Sequence, residues 1–212
     1  KELLSWDMGA FSSIMFDASK LAFDENIKLT REFVREQGNK IVIEGACDEI
    51  MDALGRVKSE ITTPKKAEKY FNETNVDLIV VNLGTEHRAS GKDLKYYSDQ
   101  ARKIKEKVST RIVLHGASSL QDDQIANLFD DGICKVNLWT VLERDSAPDL
   151  FEAMVLNGSK VAGKDTIERL KKQELLGPKC ISDEKPSVDF FTTAYRQNIV
   201  YNKMKKIIGF YM

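Results

Sequence analysis

The chain has only two histidines, His87 and His115, and each lies shortly after an apolar run typical of a buried strand. Histidine is a common zinc ligand, and a catalytic zinc takes about three protein ligands and keeps one position open. Because the two runs are consecutive, their strands should be neighbours, and both imidazoles should reach one ion. Two loop histidines that bond backbone carbonyls are the structural alternative. We predict a metal site because both histidines occupy equivalent positions.

Carboxylates precede the histidines along the chain. Glu44 follows the apolar run before that of His87, so it is a candidate third metal ligand, alternate ligand or base. The alternative is a buried carboxylate bonded to loop amides. Asp48 and Glu49 lie in the next loop, from which an acid can reach a substrate and move a proton. Composition alone favours ordinary surface charge for both, and we retain Glu49 as the candidate catalytic residue.

Small residues at positions 116–119 follow His115 and are predicted to open a helix that continues to about residue 128. Their backbone N–H groups can approach an anion, and a helix N-terminus adds partial positive charge. The next strand end, residues 137–140, should lie beside them, and barrels often bind phosphate at their last two strand ends. The segment is a candidate phosphate site, and a plain helix cap formed by Ser119 is the alternative.

Lys135 lies two residues before Asn137, so both side chains should point to the same side of their strand. A lysine inside a barrel can form a Schiff base with a ketose. Lys135 lies deeper in its strand than the candidate ligands, however. This position favours a structural lysine paired with a carboxylate.

These residues need a scaffold that brings strand ends together. Five short apolar runs alternate with amphipathic segments, which predicts a parallel sheet covered by helices. The predicted strands are residues 14–16, 41–43, 78–81, 112–114 and 133–138, and the predicted helices are residues 23–37, 64–72, 94–108 and 119–128. Thr63 should cap the second helix, with Pro64 in its first turn. A doubly wound sheet and part of a (β/α)8 barrel both fit this alternation.

Polar residues at the strand ends favour the barrel, whose active site lies at the carboxyl ends of its strands. The polar residues at or just after these ends are Asp17, Glu44, His87, His115 and Asn137. A full barrel has eight units and about 250 residues. We therefore expect an α/β fold, a (β/α)8 TIM barrel, of which the chain carries the last five units, with three more before Lys1. We expect one domain over 1–212, with 146–186 a helical insertion or extension and 187–209 a C-terminal helix.

Bulk composition argues against several classes of protein. The net charge of −1 and the mixing of lysine with glutamate argue against binding to nucleic acid or a membrane surface. No apolar run approaches the roughly 20 residues of a membrane helix. The three cysteines have no CxxC spacing, which argues against a disulfide framework and fits the cytoplasm. We expect a cytoplasmic homo-oligomer, either a dimer or a tetramer.

Six short segments resemble motifs of the class II fructose-bisphosphate and tagatose-bisphosphate aldolase family, in the same order and at similar spacing. They are FSSIMFDAS at 11–19 (GFTSVMIDGS in the family), FDENI at 23–27 (PFEENI), IEG at 43–45 (AELG), LGTEH at 83–87 (IGTxHG), VLHGAS at 113–118 (VLHGGSG or VLHGAS) and KVN at 135–137 (KVN). The resemblance covers about residues 11–140.

The resemblance implies a zinc-dependent aldolase that reversibly cleaves a phosphorylated ketose into a ketone phosphate, such as dihydroxyacetone phosphate, and an aldehyde. It implies that His87 and His115 bind zinc with Glu44 near the metal, and that another zinc ligand and an acid–base aspartate lie on an earlier strand. A monovalent cation near the phosphate loop is also expected. The residues implied to bind the phosphate and the adjoining ketose carbons are Gly116, Ala117, Ser118, Asn137 and Thr140.

One departure from the family bears on the substrate. Trp139 stands where the family often has an acidic residue, so we predict that it contacts the sugar or closes the pocket. We also predict a preference for a ketose phosphate other than fructose 1,6-bisphosphate. The alternative is that Trp139 turns outward. Two other functions stay open: a sugar-phosphate epimerase or isomerase barrel, and a non-catalytic sugar-phosphate-binding homologue if the chain is complete.

Overall fold

Five parallel strands form one sheet in the N-terminal part of the chain. The computed structural model describes residues 10–52, 60–87, 95–180 and 183–212. In chain order its strands are β1 (Ser13–Phe16), β2 (Val42–Ala46), β3 (Met51–Asp52), β4 (Leu78–Val80), β5 (Glu86–His87), β6 (Ile112–Leu114) and β7 (Ile133–Val136). The sheet has the order β1-β2-β4-β6-β7, and β3 and β5 form a separate parallel pair.

A helix accompanies each step from one strand of the sheet to the next. The helices are α1 (Phe23–Gln37), α2 (Pro64–Thr74), α3 (Ser98–Val108) and α4 (Asp122–Ile125), and Ala117–Ser119 form a 3-10 turn. Parallel neighbours require such crossovers, and their regular repetition is the arrangement of a TIM-barrel-like α/β fold. The prediction of parallel strands in chain order is confirmed. The β3–β5 pair was not predicted.

The starts of the helices follow from local sequence. Thr63 Oγ1 accepts a hydrogen bond from the backbone N–H of Lys66 at 3.2 Å, and Pro64 opens α2, as predicted. The predicted limits of α1 are also confirmed. Residue 94, the predicted start of the third helix, lies outside the described residues, and residues 95–97 are not helical. The described part of that helix begins at Ser98.

One face of the sheet packs against the helices. The ring of Phe16 on β1 stacks on Phe33 of α1 with 4.5 Å between centroids. Gly45 on β2 admits Tyr70 of α2 so closely that a Cβ atom would lie 2.8 Å from the tyrosine oxygen. The Tyr70 hydroxyl is fully buried and lies 3.0 Å from Thr30 Oγ1 of α1. Stacking, small-residue contact and a buried hydrogen bond therefore fix α1 and α2 against the sheet.

The opposite face carries polar side chains that meet across the sheet. Glu44 Oε1 on β2 accepts a hydrogen bond from Ser13 Oγ of β1 at 3.0 Å and lies 2.8 Å from Lys135 Nζ of β7. In a flat sheet β2 and β7 would lie about 14 Å apart, at about 4.8 Å for each strand spacing. Their contact fits a sheet that is concave on its polar face, as the wall of a barrel is.

The C-terminal part of the chain forms a separate compact unit. Contacts divide the chain into Lys1–Thr140 and Val141–Met212. The helices from residue 140 onward are α5 (Thr140–Leu156), α6 (Gly158–Ala162), α7 (Lys164–Lys172), α8 (Val188–Phe191) and α9 (Thr193–Tyr211). The Asp149 carboxylate on α5 pairs with Lys203 of α9 at 3.1 Å. Assignment of 146–186 as an insertion or extension stays a prediction.

Helix length and polarity also determine whether a helix could span a membrane. Every helix in the described part of the chain is too short or too polar to cross a bilayer.

Candidate active site

A cavity of about 210 Å³ lies at the carboxyl ends of the strands. Its walls come from the ends of β1, β2 and β4 and from the loops that follow β1, β2 and β6. The described lining residues are Met15, Asp17, Lys20, Ala46, Asp48, Glu49, Ile50, Val80, His87 and His115. The fold therefore gathers both histidines and three carboxylates at the edge where a barrel carries its chemistry.

The two imidazoles face one another in this cavity. The ring centroids of His87 and His115 lie 5.5 Å apart, with the ring planes at 84°. His87 is held by the β5 strand, which pairs with β3, and the backbone carbonyl of His115 accepts a 2.7 Å hydrogen bond from Thr85 Oγ1. Two imidazoles that share a tetrahedral zinc should have centroids about 5 Å apart, given Zn–N bonds of about 2.0–2.1 Å. The observed pair fits that requirement, and the predicted close approach is confirmed.

His115 is neutral at pH 7. Burial, followed by the nearby imidazole of His87, lowers the pKa of His115 from 6.5 to about 4. The side chain is 8% exposed, and its Nε2 atom lies 2.8 Å from Asn137 Nδ2. A neutral imidazole has one nitrogen without a proton, which is the form that a metal ion binds.

Three carboxylates surround the histidines and give the cavity a negative charge. Asp17 accepts hydrogen bonds from the backbone N–H and the hydroxyl of Ser19, which fix its loop. Asp48 is buried, pairs with Lys66 and accepts a 2.7 Å hydrogen bond from Thr62 Oγ1. Asp48 is therefore no ordinary surface charge, and that interpretation of the sequence is wrong.

The predicted catalytic residue also lines the cavity. Glu49 is partly exposed, and its Oε1 atom lies 3.8 Å from Lys20 Nζ. Lys20 is the single positive charge among the described lining residues, against three carboxylates. Lys66, which pairs with Asp48 from outside this lining, adds a second positive charge beside the cavity. Sequence reasoning missed Lys20, although it lies in the loop after a strand end, as the histidines do.

Glu44 contacts a serine and a lysine on the concave face of the sheet. It lies in the middle of β2, it is absent from the cavity lining, and its Oε1 atom contacts Ser13 and Lys135. Among the described residues, no group of three or more His, Cys, Asp or Glu side chains is arranged to hold a metal ion. The predicted strand end at Glu44 is wrong, because β2 continues to Ala46. The role of Glu44 as a third metal ligand, alternate ligand or base stays a prediction. The prediction of Lys135 as a structural lysine is confirmed.

The segment after His115 is a tight turn. Gly116 has φ of +69°, and a Cβ atom there would lie 2.8 Å from backbone atoms of Glu86 on β5. Glycine is therefore required both by conformation and by close packing. Ala117 and Ser118 are buried and do not line the cavity. Their predicted binding of phosphate stays a prediction.

The predicted helix opening at residues 116–119 is wrong. Ser119 Oγ donates to the carbonyl of Gly116 at 3.0 Å, so it closes the 3-10 turn and caps no helix. The next helix, α4, begins at Asp122 after Gln121 and has only four residues. Its first turn is acidic, so it provides no positive helix end for a phosphate.

The residues after β7 divide into two groups. Asn137 contacts His115 and thereby joins the site. Trp139 is 66% exposed and absent from the described cavity lining, so its ring turns outward here. Thr140 is the first residue of α5. Contact of Trp139 or Thr140 with a sugar stays a prediction.

A parallel sheet in chain order, with facing imidazoles and acids at its carboxyl edge, is a TIM-barrel-like α/β fold with a polar site at its strand ends. The family model for class II fructose-bisphosphate aldolase matches residues 2–184, and the chain belongs to that family.

Individual relatives agree with this assignment. The chain is 28% identical to the fructose-bisphosphate aldolase of Giardia intestinalis over 62% of its own length, and it spans about half, 49%, of that relative. Its fold matches the crystal structures of the fructose-bisphosphate aldolase from Campylobacter jejuni (TM-score 0.67, 16% identity) and the YdjI aldolase from Escherichia coli (TM-score 0.58, 22% identity). Each match covers 94% of this chain, and 58% and 60% of the two structures, respectively.

Proposed function

We propose that the chain forms part of the catalytic domain of a metal-dependent aldolase that reversibly cleaves a phosphorylated ketose. The observation that carries the proposal is the pair of facing imidazoles, 5.5 Å apart, in an acidic cavity at the strand ends. Membership of the aldolase family supports it. The five strands are proposed to be five units of an eight-stranded barrel.

His87 and His115 would hold the metal, which we propose to be zinc. Buried, neutral His115 offers an unprotonated nitrogen, and His87 lies beside it. A catalytic zinc takes about three protein ligands, so the proposal requires a donor beyond these two. When bound, the ion supplies Lewis-acid polarisation of the substrate carbonyl.

Glu49 would move the proton of the reaction. Cleavage removes the proton of the hydroxyl group on the carbon that becomes the aldehyde, so that its oxygen forms the new C=O bond. The electrons of the breaking carbon–carbon bond pass to the ketone half. Glu49 lines the cavity with both histidines and is partly exposed, so it can reach a hydroxyl bound there. Lys20 Nζ, 3.8 Å from Glu49 Oε1, would help to orient that carboxylate.

The other properties of the whole protein are also proposals. Gly116, Ala117, Ser118, Asn137 and Thr140 would contact the phosphate and the adjoining carbons, and a monovalent cation would lie near that loop. Three free cysteines fit a cytoplasmic location. A homo-oligomeric state, dimer or tetramer, stays a prediction from the sequence.

Zinc binding and lyase activity test the proposal together. The purified full-length protein, with all eight proposed barrel units, is titrated with Zn²⁺ against a chromogenic chelator, and aldehyde release is measured with a panel of ketose phosphates that includes fructose 1,6-bisphosphate. We expect one zinc for each chain and cleavage of at least one ketose phosphate. His87→Ala and His115→Ala should each weaken zinc binding at least tenfold and abolish cleavage, because each removes one of two donors.

Cys134→Ser is the matched control, since Cys134 is an exposed thiol, a potential zinc ligand that is not in the described cavity lining. It should leave the zinc stoichiometry unchanged. Full zinc stoichiometry in both histidine variants would refute the metal assignment. Conversion of a ketose phosphate to an epimer without aldehyde release would replace the aldolase with the epimerase alternative.

A further inference from the structure

A continuous series of side-chain contacts joins Glu44 to His115. Lys135 Nζ lies 2.8 Å from Glu44 Oε1 and donates to Asn137 Oδ1 at 2.6 Å. Asn137 Nδ2 in turn lies 2.8 Å from His115 Nε2. Ser13 Oγ holds the same Glu44 oxygen at 3.0 Å. The series crosses the concave face of the sheet and ends on one of the two imidazoles.

The donors and acceptors in this series admit one arrangement. A lysine ammonium group has only donors, so the Asn137 atom that faces Lys135 is the amide oxygen. The amide nitrogen then faces His115, and because it too has only donors, His115 Nε2 must accept. Nε2 therefore carries no proton, and in a neutral imidazole the single proton lies on Nδ1. An imidazole whose Nε2 accepts a hydrogen bond is not the doubly protonated form, so these contacts place His115 in its neutral form.

The ammonium group of Lys135 is held by two partners, Glu44 and Asn137. The Glu44 side chain is 2% exposed, and Glu44 Oε2 has no hydrogen-bond partner among the described residues. A carboxylate that is removed from water in this way depends on its cation, because little solvent is available to replace it. The ammonium group is consequently confined between Glu44 and Asn137, which a surface lysine would not be.

We propose that Lys135 is a positioning residue that sets the tautomer of His115. Anchored by Glu44, it orients the Asn137 amide so that His115 Nε2 stays unprotonated and Nδ1 carries the proton. The lone pair of Nε2 accepts the Asn137 N–H, so a metal ion would bind this nitrogen only after the amide turns away, and that use rests on the proposed function. The tautomer itself does not, because it follows from contacts of the chain alone.

Nitrogen NMR of the metal-free chain tests the proposal without any enzymatic assay. The chain has only two histidines, so ¹⁵N-histidine labelling gives two imidazoles, and His87→Gln assigns the signals. At about pH 7.5, well above the pKa of His115, the unmodified chain should show His115 as the Nδ1–H tautomer. Lys135→Met should lower the ratio of Nδ1–H to Nε2–H about fivefold or more, the factor expected when one net hydrogen bond is lost. Lys135→Arg keeps the charge and the donors, so its ratio of Nδ1–H to Nε2–H should match that of the unmodified chain.

Two further variants keep the test decisive. Glu44→Gln combined with Lys135→Met leaves no unpaired buried charge, so it should fold even if Lys135→Met alone does not, and it should show the same mixed tautomers. Lys107→Met is the matched control: Lys107 pairs with Glu68 at 3.5 Å on the helix surface, with a similar exposure of 43% against 37% for Lys135. Lys107→Met should leave the His115 tautomer unchanged.

An Nε2–H tautomer in the unmodified chain, or an unchanged Nδ1–H tautomer in the folded double variant, would overturn the proposal. Neither result decides whether the protein binds zinc or cleaves a ketose phosphate, because separate experiments measure those properties.

Discussion

Removal of the His115 imidazole should change how the stability of the metal-free chain depends on pH. The pKa of His115 is about 4 in the folded protein and 6.5 in its ordinary state. Between these values the unfolded chain binds a proton that the folded chain does not. The contribution of this pKa difference to the free energy of unfolding is therefore fully present above pH 6.5 and is lost as the pH falls toward 4. At about 1.4 kcal/mol for each pKa unit, the loss amounts to about 3 kcal/mol.

Urea unfolding followed by tryptophan fluorescence measures this loss. Both tryptophans precede residue 141, so their signal reports on the N-terminal unit. The free energy of unfolding is compared at about pH 7.5 and about pH 4.5, in chelator, for the unmodified chain and for His115→Gln. Groups distant from His115 titrate equally in both, so the difference reports on His115 together with its coupling to His87. We expect the variant to lose about 2–3 kcal/mol less between the two pH values. Parallel losses would refute the assignment of a buried neutral imidazole.

Two substitutions test how the scaffold holds the site. Gly116→Ala should destabilise the chain by more than about 2 kcal/mol, because alanine at a positive φ is strained and its Cβ would meet the Glu86 backbone at 2.8 Å. Gly177→Ala, which has open space around the new atom, is the control, and equal melting temperatures of the two variants would contradict the argument. Tyr70→Phe should cost about 1 kcal/mol in thermal or urea unfolding, since it removes the buried hydrogen bond to Thr30. An unchanged stability would show that this bond contributes nothing.

The sequence was sufficient to predict the strands and their parallel order. Short, wholly apolar runs alternate with amphipathic segments, and only crossover helices can connect parallel neighbours, so local periodicity restricts the topology strongly. The start of α2 was equally predictable, because Thr63 and Pro64 act within one turn of the chain. The short β3–β5 pair was not, since two-residue strands have no periodicity.

At the candidate site, the sequence determined which chemical groups gather at the strand ends. The positions of His87, His115 and Glu49 followed from strand ends alone, because parallel strands present their carboxyl ends at one edge. The sequence also contained the pairing partners of Lys135, but it did not specify which carboxylate would engage it.

Only the tertiary structure decided the partners of individual side chains. Glu44 and Lys135 are 91 residues apart in sequence, and their contact at 2.8 Å depends on the curvature of the sheet between β2 and β7. That contact gives Glu44 a lysine partner that the sequence did not specify. The close packing of Gly116 on β5 similarly replaces a predicted helix opening with a tight turn. The physical reason is the same in both cases. Secondary structure depends on neighbours within a few residues, whereas a buried polar group takes whichever partner the packed fold brings within hydrogen-bond distance.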